Sequence, residues 1–135
     1  MQYIVHRRFK GTALDGEMNL PAFTVCEEYD GLIVCNDQAI CFNVSENANQ
    51  YFARNDDGKG IMRGKLTQAI MKKLAKRDDK YQERWDKIWE DPRCKRFKRP
   101  EHEDHWLWNF DFFHAEIEDL QYIAELIGLN VSKIA

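Results

Sequence analysis

Beyond Gly64 the apolar residues Leu66, Ile70, Leu74, Tyr81, Trp85, Ile88 and Trp89 recur at helical spacing, and neither glycine nor proline interrupts them until Pro92. A stretch with that period cannot lie in a sheet, so the middle of the chain is committed to helix. Either one long helix covers 64–90 or two shorter ones join near Arg77-Asp78-Asp79. The opposite side carries Lys65, Lys72, Lys73, Lys76, Lys80 and Arg84, interleaved with Asp79, Glu83 and Asp86. That mixture predicts a solvated face with local salt bridges rather than a helix that reads nucleic acid. Tyr81, Trp85 and Trp89 share the stripe of the leucines and isoleucines and are expected in the core.

The first 43 residues have a different period. Gln2 to Phe9 is rich in β-branched and aromatic residues and predicts a strand, which Gly11 is expected to break. Asp15-Gly16 is a turn dipeptide, and Pro21 keeps its neighbourhood out of a central ladder. From Ala22 to Phe42, short apolar runs separated by Asp30-Gly31 and Asn36-Asp37 predict a three-strand antiparallel meander. Ser45 is a good N-cap for a short helix over 45–54. The Asn55-to-Gly60 loop that follows has neither the ligand spacing of a calcium loop nor the lysine-hydroxyl pair of a phosphate loop.

Two further helices are expected, over 100–108 behind an N1 proline at Pro100, and over 112–127 with Asp111 as cap and Gly128 as stop. Phe113, Ile117, Leu120, Ala124 and Ile127 would form the buried stripe of the last one. The fold class that results is α+β, a single domain over 1–135. An N-terminal antiparallel β-meander (about 1–43) packs against a helical C-terminal half.

With 44% hydrophobic and 32% charged residues in a chain of 135, the composition is that of a globular domain. The net charge of −3 conceals a division: residues 1–61 carry −4, 62–99 carry +8 and 100–135 carry −7. An acidic last helix docked on the basic middle would account for it. No apolar run approaches a membrane span, so a cytoplasmic protein with no membrane partner is expected. In that setting Cys26, Cys35, Cys41 and Cys94 would be unpaired, three of them as small buried hydrophobes in strands.

Chemistry-bearing residues concentrate between Arg93 and His114. His102 and His105 lie three apart, on one face if helical, and Asp111 or His114 could complete a divalent-metal site. An open site of that kind would activate water for hydrolysis, with Glu101 or Asp104 as base. Before Pro100, Arg93, Lys95, Arg96, Lys98 and Arg99 surround Phe97, a pattern that can neutralise phosphates while a ring stacks on a base. Its bland counterpart is a soluble connection. Trp106 and Trp108 are either core or anchors for a protein partner. His6 beside a strand cysteine has no orienting carboxylate in the sequence to make a nucleophile.

Asn49-Gln50-Tyr51-Phe52-Ala53-Arg54-Asn55-Asp56-Asp57-Gly58, with Arg63-Gly64-Lys65-Leu66 and His105-Trp106-Leu107-Trp108-Asn109, resembles small proteins encoded by phages and prophages of Gram-positive bacteria. The resemblance implies a bacterial, cytoplasmic, mobile-element setting. That group has no assigned activity, so it transfers no catalytic residues and no cofactor. Since no segment matches a catalytic fingerprint, the expected function is a non-enzymatic binding or accessory protein that contacts a protein or nucleic-acid partner. The alternative is a metal-dependent hydrolase or nuclease centred on His102, His105 and His114.

Overall fold

A computed structural model describes residues 2–13, 16–29, 32–35, 38–41, 51–97, 112 and 115–134. Among the described residues the N-terminal half forms seven strands: β1 (Gln2–Val5), β2 (Phe9–Ala13), β3 (Gly16–Leu20), β4 (Val25–Tyr29), β5 (Leu32–Cys35), β6 (Gln38–Cys41) and β7 (Phe52–Arg54). The C-terminal half holds α1 (Gly60–Ala75), α2 (Tyr81–Glu90) and α3 (Ile117–Leu126), with short 3-10 turns at Cys94–Phe97 and Val131–Lys133. Five strands make one antiparallel sheet in the order β6-β5-β4-β1-β7, and β2-β3 is a separate hairpin. The fold is therefore α+β, and β4-β5-β6 is the meander that the turn dipeptides mark. None of the helices described is long and apolar enough to cross a membrane.

Strand alternation divides the sheet into two faces. Tyr3, Val5, Cys26, Ile33, Cys35 and Phe52 point one way and are capped by Phe9, Met18 and Leu20 of the hairpin. Gly11 lies inside β2 opposite Met18 rather than breaking it. A Cβ there would meet the Phe9 ring at 2.5 Å, so the ring lies over the glycine and supplies the cover that its own side chain lacks. Cys26 and Cys35, next in register to the Glu27–Val34 pair, are joined by a disulfide with Cα atoms 4.8 Å apart. This corrects the expectation of unpaired strand cysteines: antiparallel pairing brings two residues nine apart in sequence directly opposite each other. Cys94 is free and buried.

On the other face, Ile4 receives α1. A Cβ at Gly60 would meet Ile4 Cγ2 at 2.5 Å, and one at Gly64 would meet His6 Cβ at 2.3 Å, so two glycines one turn apart bring the helix backbone against β1. Gly64→Ala is expected to destabilise the protein by about 1–2 kcal/mol, because a strand and a helix must separate to admit the methyl group. Chemical denaturation would measure it, and an unchanged midpoint would mean that the helix is not seated there. The far side of α1 places Leu66, Ile70 and Leu74 in a second core with Trp85, Ile88, Leu120 and Ile123.

Two expected boundaries are corrected and one open alternative is decided. Phe52–Arg54 is a strand, not the end of a helix over 45–54, because it completes the sheet edge against β1. Of the two alternatives for the middle of the chain, the structure has the pair of helices, joined at 76–80 around Arg77-Asp78-Asp79. Lys76 adopts an extended conformation, and α2 turns back to cap α1: Arg84 donates to the Lys76 carbonyl (2.6 Å) and the Trp85 indole to that of Leu74 (3.1 Å). The last helix begins at Ile117, with Glu116 as N-cap, and its Asp119 carboxylate accepts from the Glu116 amide at 3.3 Å. Gly128 ends it at φ +89, a conformation that favours glycine. The expected helix over 100–108 lies outside the described residues.

Where β7, α1 and the start of α3 meet, Arg63 is 1% exposed. Its guanidinium makes five hydrogen bonds, one for each N–H it owns. Asp57 takes two as a fork, at 2.7 Å each. The carbonyls of Ala115 and Arg54 and the Glu116 carboxylate take the others, at 3.1–3.2 Å. Arg54 also pairs with Glu116. One side chain thus sets the start of α1 against both the sheet and the last helix.

Candidate partner-docking face of helix α1

Residues 58–77 contain seven Lys/Arg and no Asp/Glu. The break between α1 and α2 gives that composition its meaning. The acids that interleave with lysines in the sequence fall in the break or after it, so Glu83 pairs with Lys87 (3.4 Å) and Asp78 with Arg84 (2.9 Å). Lys76 reaches Asp78 at 3.8 Å. Among the described residues, the ammonium groups of Lys59, Lys65 and Lys72 form no salt bridge with a carboxylate. The expectation of a face neutralised by local salt bridges therefore holds for α2 and not for α1.

These lysines border an open trough along the outer side of α1. Its main part, about 800 Å³, has Arg7, Lys65 and Lys72 as its cations, Gln68 between them, and a floor of Ala69, Met71, Ala75 and Ile134. Arg7 comes from the segment after β1, with its guanidinium 5.7 Å from the centre of the Tyr51 ring. Gln68 is fixed from below, donating to the His6 carbonyl (2.5 Å) and standing 2.9 Å from its Nδ1. Lys65 also lines two neighbouring hollows. One is formed with Gly58, Lys59, Ile61 and Met62, the other with Met62, Leu66, Gln121, Val131 and Ile134. Ile61 and Met62 are 43% and 39% exposed, and with Phe23, Val25 and Tyr29 they are the large apolar side chains that the described residues leave to solvent.

The basic connection before Pro100 is arranged differently. Arg93 reaches Asp119 at 3.4 Å and lies 4.4 Å from the centre of the Tyr122 ring. Arg96 also pairs with Asp119 and lies 4.8 Å from the centre of the Phe97 ring. Asp119 is only 4% exposed, and a carboxylate so buried requires cations beside it. Phe97 packs against the helical core instead of standing free to stack on a base, while Lys95 is exposed. The acidic start of α3 is thus neutralised by the connection, Arg54 and Arg63. The outer lysines of α1 take no part. Lys98 and Arg99 lie outside the described residues, as do His102, His105, Asp111, His114, Trp106 and Trp108.

Asp91 organises the entry to this connection. It accepts from the Tyr122 hydroxyl at 2.6 Å and from the amides of Arg93 and Cys94, and those bonds hold its carboxyl below the usual range. Burial, then the nearby Asp91 carboxylate, pushes the Cys94 thiol up to about 12. A thiol held protonated in this way is a packing group, not a nucleophile. Among the described residues, no group of three or more His, Cys, Asp or Glu could hold a metal ion.

The sequence signal for the α1 face was the carboxylate-free run itself. It was diluted by counting charge across a helix break that carries no glycine or proline. Comparison with family models, with curated proteins and with solved structures found no match.

Proposed function

We propose that this chain is a non-enzymatic binding protein, an accessory protein of a phage or prophage, which presents the outer face of α1 to an anionic partner. The observation that carries the reading is the unneutralised row Lys59, Lys65 and Lys72 beside an apolar-floored trough. Exposed like charges repel one another and raise the free energy of the isolated protein, so a row kept without carboxylates gains when an anion arrives. Arg93 and Arg96, the other strongly basic site, already neutralise a buried acid within the chain.

Titration of the isotopically labelled protein with polyglutamate and with oligothymidylate, at low and high salt, tests the reading. Amide shifts are expected to concentrate on residues 59–76 and Arg7, and to weaken with salt as exposed charges are screened over about 10 Å. Shifts centred on Arg93 to Phe97, or scattered over the surface, would sink it.

A further inference from the structure

We propose that the occupant of the α1 trough is an amphipathic helix from a partner protein, aliphatic along one side and acidic along its flanks. This rests on the reading of α1 as an anion-docking face and specifies the ligand. The trough is built for shape as well as charge. Ala69 and Ala75 are small enough to let a second helix approach to the interaxial distance of about 8–10 Å at which side chains interdigitate. Met62 and Met71 adjust to whatever aliphatic groups they meet, and Ile61 and Ile134 add branched apolar surface to the same lining. Lys65 and Lys72, seven apart, stay on one face and stand about 10 Å apart along the axis, two turns of an acidic flank. From Ile61 to Ala75 the face runs about 21 Å, the length of a partner helix of about 14 residues.

Nucleic acid fits the same surface less well. Among the described lining residues there is no aromatic ring to stack on a base, and Arg7 is the only guanidinium. Lysine ammoniums give a phosphate a point charge without the planar fork that fixes orientation. A phosphate backbone laid along the trough would also leave Ala69, Met71 and Ile134 without an apolar partner.

Fluorescence anisotropy on the full chain tests this with three labelled probes. The first is a synthetic peptide of about 14 residues with leucines at helical spacing flanked by glutamates; the second is a shuffled peptide of the same composition, and the third is oligothymidylate. The ordered peptide is expected to bind at least about tenfold tighter than either of the others. Lys65→Glu with Lys72→Glu should weaken it by about tenfold or more. Ala69→Tyr, which fills the floor without altering charge, should weaken it comparably at an unchanged melting temperature. Equal binding of the ordered and shuffled peptides overturns the helix inference, as does an unchanged affinity in Ala69→Tyr. Oligothymidylate binding tighter than the peptide overturns it too, but leaves the anionic reading standing. No binding by any probe overturns both.

Discussion

Replacing Arg63 by methionine is expected to lower the folding stability by about 3 kcal/mol, seen as a loss of about 1.5 M in urea midpoint for a domain with a slope near 2 kcal/mol/M. Removing one partner of a buried ion pair typically costs about 3–5 kcal/mol, and here the lower end applies. The stranded carboxylates of Asp57 and Glu116 have side chains 41% and 53% exposed, so water can take over their hydration. Much of the loss then comes from the Ala115 and Arg54 carbonyls, left with one hydrogen bond fewer, and from the gap under the sheet edge. Arg63→Lys should recover less than half of the stability, since one ammonium cannot bridge a fork and two carbonyls in different directions. A loss below about 1 kcal/mol in Arg63→Met would refute the hub.

The same contacts give an acid signature. Hydrogen bonds from Arg63 hold the Asp57 carboxyl well below its ordinary value, and Arg54 depresses Glu116 in the same direction. A carboxylate depressed by folding contributes stability that is fully present above its unfolded value, about 3.9 for aspartate, and that is lost as pH falls toward the folded value. Urea midpoints measured downward from about pH 5 should therefore fall in the wild type and fall less steeply in Asp57→Asn and Arg63→Met. Parallel slopes in all three proteins would show that Asp57 is not linked to folding through Arg63.

What the sequence made legible follows from how local the cause was. The meander β4-β5-β6 could be read because its turns are written in adjacent residues and each strand is long enough to show its character. Phe52–Arg54 could not: three residues display no period, and what makes them a strand is the vacant edge of β1, which lies nearly fifty residues away. Gly11 reads as a breaker until the Phe9 ring is seen lying over it. The break between α1 and α2 has no glycine or proline to announce it, because it is held by Arg84 and Trp85 reaching back to carbonyls eight and eleven residues earlier. With the choice between one helix and two left open, the α1 face stayed hidden, since charge summed over 62–99 mixes an unneutralised helix with a neutralised one. The tryptophan stripe was legible for the opposite reason: Trp85 is 2% exposed and Trp89 packs beside it, as helical spacing requires.

The second large effect belongs to Cys26 and Cys35. The double substitution Cys26→Ala/Cys35→Ala is expected to cost about 2–3 kcal/mol, the loop-closure entropy of a ring of about ten residues in the unfolded chain. It should not unfold the protein, because the Glu27–Val34 and Tyr3–Cys26 pairings keep the β4-β5 and β1-β4 ladders in register without the covalent tie. Both cysteines are at most 2% exposed beneath the β2-β3 hairpin, so a thiol reductant must wait for that layer to open. Alkylation of the protein under denaturing, non-reducing conditions is expected to leave these two residues unmodified, and alkylation after reduction to label both. In native buffer, dithiothreitol should reduce them at the rate at which the hairpin opens, faster in Phe9→Ala, whose lost ring uncovers Gly11 and the layer beneath. Labelling of Cys26 and Cys35 without any reductant would show the pair to be thiols, and the stability difference in the double variant should then shrink to that of two small buried hydrophobes.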